Sequence, residues 1–238
     1  MGKEILIIKN VTREGPGIIE QILKDKGIKF TISDLSLNDS VKLLRNYGAV
    51  IVLGGPDSAN DKNKKMEGEL AFISEVLKAK VPFLGICLGL QTLVKAAGGK
   101  VVKSPLKEIG FRDRDGNLFN VDLTEEGKRD PLFYGLPDSF NVFQLHGETV
   151  ILSENMKLLA AGKFCRNQII KIGTNAYGIQ CHFELTPQLL KDWINEDSDL
   201  KLLDGGKLWS DFESLKDEYS QTGYRLFSNF LKISGLEK

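Results

Sequence analysis

Short apolar runs alternate with amphipathic stretches through the first half of the chain. The apolar runs predict strands at residues 5–8, 29–32, 49–53 and 82–86, and the amphipathic stretches predict helices at residues 17–26, 40–46, 65–80 and 88–97. This alternation is typical of parallel strands joined by crossover helices, so we expect a doubly wound, mainly parallel sheet. Ligands of such sheets bind beyond the carboxyl ends of the strands, which here are the loops after Leu53 and Ile86.

The stretch from about residue 101 to residue 184 has a different pattern. Its apolar segments are short and alternate with polar residues, and turn sequences such as DRDGN at 113–117 separate them. This pattern indicates antiparallel strands and hairpins rather than crossover helices. We therefore expect a flavodoxin-like α/β core that carries an added antiparallel hairpin region.

Two helices are predicted near the carboxyl end of the chain. Thr186 and Pro187 suit the N-cap and the first position of one helix, and Ser210 is expected to cap the other. No linker or internal repeat separates these segments from the rest. Residues 1–238 are therefore expected to form one domain, with a C-terminal helical extension at about residues 186–238.

The charge balance and the cysteine content exclude several classes of protein. The 238-residue chain has 32 Lys and Arg against 32 Asp and Glu, and this balance argues against a nucleic-acid partner. The opening sequence MGKEILIIKN has too short an apolar run for a signal peptide or a membrane span, so no membrane association is expected. Three widely spaced cysteines suit a reducing compartment, and a cytoplasmic location is expected.

The strongest local signal for chemistry is VPFLGICLGLQTL at 81–93. An apolar strand runs directly into GICLG at 85–89, which has the GxSxG spacing of a nucleophile elbow with sulfur in place of oxygen. The sharp turn leaves no room for side chains two residues on either side of the nucleophile. Cys87 would lie at a helix N-terminus, where the dipole and free N–H groups favour a thiolate. A buried structural cysteine between packing glycines is the alternative.

A cysteine nucleophile needs a base, and the chain has only two histidines. His182 lies in YGIQCHFEL at 177–185, whose alternation places Gln180, His182 and Glu184 on one face of a strand. Glu184 can hold the imidazole in one tautomer and stabilise its protonated form, which would complete a triad with Cys87. The alternative is a hydrogen-bonded histidine at the end of a strand.

The loop LGGPDSAND at 53–61 follows another predicted strand. Gly54 and Gly55 leave backbone N–H groups open to the same sheet edge as Cys87. The N–H groups of Gly55 and Leu88 could hold the oxyanion of a tetrahedral intermediate, a contribution of about 3–4 kcal/mol per donor. An ordinary turn at the end of a strand is the alternative.

Together these segments resemble the class I, or triad, glutamine amidotransferases. GGP after the third strand, GICLGLQ around Cys87 and HFE at 182–184 occur in the family's order, and the likeness covers roughly residues 5–186. KEIG at 107–110 resembles a turn of the stand-alone, GMP-synthase-like members. The resemblance implies the following roles: Cys87 as nucleophile, His182 as base, Glu184 as its orienting carboxylate, and Gly55 and Leu88 as oxyanion donors.

The resemblance also implies a glutamine site. Gln91 matches the position that contacts the bound glutamine, and Gly54 is assigned to the same site. VFQLHGETV at 142–150 resembles the family's SHGD-type strand, whose backbone at Leu145 and His146 helps to grip the substrate. The family's HPE is HFE in this chain, and its SHGD aspartate is a glutamate. Neither change removes a catalytic group.

The implied reaction is hydrolysis of the glutamine γ-amide through a cysteinyl thioester, with ammonia released for an acceptor. No metal and no cofactor are expected, because the sequence contains no CxxC, HxxxH, GxGxxG or P-loop motif. A synthetase that uses the ammonia would be a separate polypeptide.

Three alternatives keep parts of this interpretation. A γ-glutamyl peptidase would keep the triad and cleave γ-glutamyl bonds in small compounds. A PfpI-like or DJ-1-like cysteine hydrolase is disfavoured by Leu88, because a histidine commonly follows the nucleophile in those proteins. A non-catalytic regulatory module would keep only the fold, and the joint presence of Cys87, His182 and Glu184 argues against it.

Overall fold

The computed structural model describes residues 4–39 and 43–237. Within these residues the α-helices are α1 (Ile18–Asp25), α2 (Lys64–Lys78), α3 (Leu88–Ala96), α4 (Glu125–Arg129), α5 (Pro187–Glu196) and α6 (Gly205–Ile233). The strands are β1 (Glu4–Lys9), β2 (Phe30–Asp34), β3 (Tyr47–Val52), β4 (Phe83–Ile86), β5 (Lys100–Gly110), β6 (Asn120–Leu123), β7 (Ser139–Asn141), β8 (Gln144–Ile151), β9 (Met156–Gly162), β10 (Ile169–Ile172) and β11 (Ala176–Ile179). None of the helices in this part of the chain is both long and apolar enough to cross a membrane.

The strands build one large sheet and one small ribbon. The large sheet has the order β2-β1-β3-β4-β11-β10-β9-β6-β7, and β5 pairs with β8 in the ribbon. Strands β2, β1, β3, β4 and β11 run parallel, whereas the pairs from β11 to β7 are antiparallel. The predicted α/β fold with added antiparallel hairpins is therefore confirmed. Its topology places the carboxyl ends of β1, β3, β4 and β11 at one edge.

Apolar side chains pack on both faces of the parallel sheet. Ile5 and Ile7 of β1 belong to the core that α1, α5 and α6 cover, whereas Leu6 and Ile8 belong to the core beneath α2 and α3. This division follows from the two-residue period of a strand. The burial of both faces explains why the strands read as continuous apolar runs.

The predicted start of the last helix is wrong. α6 begins at Gly205, and the carboxylate of Asp204 accepts the N–H groups of Gly206 and Lys207 at 2.9 and 3.1 Å. Ser210 therefore lies inside the helix and does not cap it. The two leading glycines hid this boundary because glycine is a weak helix former, and the Asp204 cap offsets part of that weakness.

The helix predicted at residues 40–46 is wrong in its described part. Leu44–Asn46 form only a 3₁₀ turn, and residues 40–42 lie outside the described residues. So few residues rarely offset the cost of starting an α-helix. By contrast, Thr186 caps α5 as predicted, since its hydroxyl accepts the N–H of Leu189 at 3.2 Å.

A side chain at Gly89 should destabilise the fold, whereas one at Gly68 should not. A methyl group on Gly89 would collide with the carbonyl oxygen of Val52, but nothing lies within 4 Å of a methyl group on Gly68 in α2. We expect Gly89→Ala to lower the free energy of unfolding by about 1–3 kcal/mol. Gly68→Ala should raise it by about 0.5–1 kcal/mol. Urea unfolding measures both, and equal effects would contradict the close packing of α3 on β3.

Candidate active site

The loops after β1, β3, β4 and β11 surround a cleft of about 750 Å³ at the carboxyl edge of the sheet. Six of the predicted site residues line it, namely Gly55, Cys87, Gln91, Leu145, His146 and His182. The other three lie next to lining residues, and these are Gly54, Leu88 and Glu184. The fold therefore brings together all the residues that the sequence singled out.

Cys87 occupies the turn between β4 and α3 in a rarely adopted conformation. Its φ is +51°, and it is the N-cap residue of α3. Gly85 and Gly89 permit this turn, because a methyl group on either would collide with neighbouring backbone. The turn has the shape of the predicted elbow, and it presents the Cys87 side chain to the cleft.

Strand pairing positions the groups around the Cys87 sulfur. β4 and β11 pair with Ile86 opposite Ile179, so the next residues, Cys87 and Gln180, lie side by side. The Gln180 amide donates to Sγ at 3.7 Å, and the thiol donates to the carbonyl of Leu145 at 3.6 Å. The sulfur thus lies between the end of β11 and the start of β8.

His182 and Glu184 form a buried hydrogen-bonded pair. Nδ1 of His182 lies 2.6 Å from Oε1 of Glu184, and Oε2 of Glu184 accepts the N–H of Phe183 at 2.9 Å. An ionised carboxylate can only accept, so the proton of the neutral imidazole resides on Nδ1. Within the described residues Nε2 has no hydrogen-bond partner, which leaves it available for chemistry.

Packing and charge both act on the imidazole of His182. The Trp193 ring stands edge-on to it with ring centroids 4.9 Å apart, and the Tyr219 hydroxyl donates to the His182 carbonyl at 2.9 Å. Burial on its own lowers the pKa of His182, but Glu184 and the adjacent Cys87 outweigh burial and raise this pKa well above its usual value. The site therefore stabilises an imidazolium.

The glycine loop and the start of α3 lie together beside Cys87. A methyl group on Gly54 would lie 3.4 Å from Cε1 of His182 and 3.5 Å from Cβ of Cys87. One on Gly55 would lie 3.3 Å from Cδ2 of Leu88. Leu88 is the first residue of α3, where a backbone N–H has no intrahelical partner. Two backbone donors are thus available on the side of the elbow that faces this loop.

Gln91 and residues of β8 also line the cleft. Nε2 of Gln91 lies 3.4 Å from the carbonyl oxygen of Glu148 and 3.4 Å from Oε1 of Gln180. Leu145 and His146 belong to β8, and the pairing of β8 with β5 holds their backbone in place. These residues can therefore offer amide and backbone groups to a ligand.

A second cluster of buried side chains lies against β8. The donor atoms of Glu108, His146 and Cys165 all lie within 4.8 Å of one another. Nε2 of His146 is 3.0 Å from Oε2 of Glu108, and Nδ1 is 3.1 Å from the carbonyl oxygen of Glu148. These donors are types that can hold a metal ion. Burial raises the pKa of the Cys165 thiol to about 11, which opposes the thiolate that a metal needs.

Several residues of the cleft and its surroundings were not assigned a role from the sequence, among them Arg13, Glu14 and Gln180. Arg13 and Glu14 line it from the loop after β1, and Gln180 contacts the Cys87 sulfur. The rule that ligands bind beyond the carboxyl ends of parallel strands applies to β1 as well, so it could have pointed to REGPG at 13–17. Gln180 shares a predicted strand face with His182, which was a second available signal.

Comparison with known proteins places these features in a family. The model of the family described as glutamine amidotransferase class-I matches residues 17–198. The glutamine-hydrolysing GMP synthase of Thermosipho africanus is 33% identical over 180 residues, which cover 74% of this chain and 32% of that protein. The glutamine amidotransferase-like protein YfeJ of Salmonella typhimurium is 31% identical over 153 residues, which cover 62% of this chain and 61% of that protein.

A solved structure resembles the whole fold. The crystal structure of a glutamine amidotransferase from Thermotoga maritima superimposes with a TM-score of 0.86 at 28% identity, and the match covers 98% of this chain and 99% of that one. The chain spans less than two thirds of the length of the curated relatives named above. The family match, however, includes the elbow, the glycine loop and the His182 segment. The chain therefore belongs to the class-I glutamine amidotransferase family.

Proposed function

We propose that this chain hydrolyses the γ-amide of glutamine, with Cys87, His182 and Glu184 as its catalytic triad. The observation that carries the proposal is the 2.6 Å contact between the side chains of His182 and Glu184. The imidazole of His182 lines the same cleft as Cys87. Family membership and the names of the relatives support glutamine as the substrate.

The proposed reaction proceeds through a thioester. Nε2 of His182 takes the thiol proton of Cys87, the sulfur attacks the γ-carbonyl carbon, and the N–H groups of Gly55 and Leu88 hold the oxyanion that forms. His182 gives its Nε2 proton to the amide nitrogen as the C–N bond breaks, and ammonia leaves. His182 then takes a proton from water, which attacks the thioester and releases glutamate. Glu184 keeps the imidazole oriented and stabilises its protonated form throughout.

The remaining predicted residues have proposed binding roles. Gln91 and the backbone of Leu145 and His146 would hold the glutamyl part, because they line the same cleft as Cys87. Gly54 would be needed at its position because a side chain there would collide with Oε2 of Glu14 beside Cys87 and His182. The reaction as proposed uses neither a metal nor a cofactor.

The destination of the ammonia is also a proposal. The GMP synthases are much longer than this chain, which covers 32% of the Thermosipho africanus protein. We propose that a separate synthetase subunit accepts the ammonia and that the chain acts in the cytoplasm without nucleic-acid or membrane partners. We also propose that residues 1–238 form one domain, an idea supported by the packing of α6 in the same core as α1.

A glutamine-analogue electrophile tests the nucleophile. We expect diazo-oxo-norleucine to form one adduct, on Cys87, because only this cysteine lines the cleft in the described part of the chain. Peptide mass mapping locates the adduct, and Cys87→Ser should abolish it. The matched control is Cys181→Ser, which removes a fully buried thiol and should leave labelling unchanged. An adduct on Cys165 or Cys181 of the wild type would contradict the assignment.

A γ-glutamyl peptidase is the second candidate, and the size of the cleft favours it. The cleft of about 750 Å³ extends from Cys87 to Lys103 and Asp199, which leaves room beyond a single glutamine. Parallel assays with glutamine and small γ-glutamyl peptides distinguish the two activities. A higher kcat/KM for the peptides would replace the first proposal, and inactivity on both would indicate a non-catalytic module.

A further inference from the structure

Glu14 lines the cleft, and its carboxylate has no hydrogen-bond donor among the described residues. Glu14 is 5% exposed. Within residues 4–39 and 43–237, the one ion pair of its side chain is with Arg13, whose Nη2 lies 3.9 Å from Oε1. That guanidinium is held closer by Asp197, at 2.9 Å. Burial without a strong partner disfavours the charged form of a carboxylate, so Glu14 can hold a proton near neutral pH or pair with a cationic ligand.

Glu14 faces the reacting end of the proposed triad. A methyl group on Gly54 would collide with Oε2 of Glu14, and the same group would lie 3.4 Å from Cε1 of His182 and 3.5 Å from Cβ of Cys87. Glu14, His182 and Cys87 are therefore neighbours around Gly54. Cε1 is bonded to both nitrogens of the imidazole, and one of them is Nε2, which would protonate the leaving group.

We propose that Glu14 forms a leaving-group subsite, in which its carboxylate binds the released amine as an ammonium ion. This inference rests on the proposed function and deepens it, because it defines the substrates as amides of ammonia or of small alkylamines. A carboxylate beside a cation forms a charge-assisted hydrogen bond, which is stronger than a neutral one.

The formation of ammonium at this subsite needs no reactant beyond the released ammonia and Glu14. Ammonia leaves neutral after it takes the Nε2 proton of His182. Its lone pair then takes the carboxyl proton of Glu14, so the O–H bond breaks, an N–H bond forms, and ammonium faces a carboxylate. Burial raises the pKa of Glu14 to about 7, which keeps a carboxyl proton available near neutral pH. The charged groups that face Glu14 are His182, Arg13, Glu184 and Asp197.

The first test is Glu14→Gln, which keeps the shape of the side chain and removes its charge. The matched control is Glu196→Gln, an exposed carboxylate on the same cleft. We expect Glu14→Gln to lower kcat for glutamine by about tenfold or more. Labelling of Cys87 by diazo-oxo-norleucine should stay within about twofold, because dinitrogen leaves in that reaction and no amine is released. Glu196→Gln should change neither rate.

The second test measures ammonium binding without glutamine. Methylammonium chloride should slow the alkylation of Cys87 by iodoacetamide in the wild type and in Glu196→Gln, but not in Glu14→Gln. Sodium chloride at equal ionic strength controls for screening. This readout remains valid if the chain does not hydrolyse glutamine, so failure of the subsite and failure of the proposed function are distinguishable.

Two results would overturn the subsite. One is a Glu14→Gln protein with unchanged kcat and unchanged protection by methylammonium. The other is an equal loss of glutamine turnover and of diazo-oxo-norleucine labelling, which would place Glu14 at the glutamyl half of the substrate. A wild-type protein that diazo-oxo-norleucine does not label at Cys87 would instead contradict the proposed function.

Discussion

Replacement of His182 by alanine should nearly abolish glutamine hydrolysis while the protein still folds. The imidazole is proposed to act both as the acid that protonates ammonia and as the base that activates water, so its loss affects both half-reactions. We expect kcat to fall by at least about a thousandfold. Steady-state assays that couple glutamate release to a dehydrogenase measure this change.

The local structure around His182 should survive the substitution. The Tyr219 hydroxyl donates to the backbone carbonyl of residue 182, and the N–H of His182 donates to the carbonyl of Phe143 at 2.9 Å. Alanine keeps both bonds. The space beside Trp193 is emptied, however, so His182→Gln serves as a second variant that fills more of it.

The variants separate chemistry from folding. Thermal unfolding and circular dichroism should show a folded His182→Gln protein with the same loss of turnover. Glutamine hydrolysis within about tenfold of the wild type in either folded variant would remove His182 from the proposed mechanism. The matched surface control is Gln188→Ala, because Gln188 is exposed and bonds only to Asp192 on α5 through its side chain in the described structure.

Glu184→Gln should give the second-largest loss, about a hundredfold to ten-thousandfold in kcat. The amide has the same shape, and its oxygen can still accept the N–H of Phe183 that Oε2 accepts in the wild type. Its NH₂ group would then face Nδ1 of His182. Nδ1 must accept from this donor, so the imidazole proton moves to Nε2, which then presents an N–H group and no lone pair to the cleft.

The same substitution should lower the pKa of His182. Burial favours the neutral imidazole, and Glu184 is the strongest of the groups that oppose burial. Without that carboxylate, the imidazolium should lose its proton at a lower pH than in the wild type. Proton NMR of the His182 ring against pH measures the change, and the exposed carboxylate variant Glu126→Gln is the control. An unchanged titration would contradict the proposed electrostatic role of Glu184.

The elbow and the α5 cap could be predicted from the sequence because both depend on neighbours in the chain. The glycines at 85 and 89 are needed wherever a strand turns sharply into a helix around a nucleophile, and Thr186 caps the helix that begins beside it. The same local reasoning failed at Ser210. Asp204 starts α6 earlier, because its carboxylate accepts two N–H groups at the pair of glycines that begins the helix.

The strand predicted across YGIQCHFEL is shorter than expected, because β11 ends at Ile179. His182 and Glu184 lie beyond it, and their side chains still meet at 2.6 Å. The pairing of this segment with Cys87 is a different matter. It depends on the pairing of β11 with β4 in the sheet. These strands are far apart in the sequence, so residue spacing does not reveal that they are neighbours.

The residue pattern alone predicted most of the strands and helices and the elbow around Cys87, because these depend on backbone geometry over a few residues. Which distant groups meet depends on the three-dimensional fold. It placed Glu14 beside the His182 ring, and it brought Glu108, His146 and Cys165 together. The physical reason is that such contacts come from strand order and core packing, which sum many weak interactions along the whole chain.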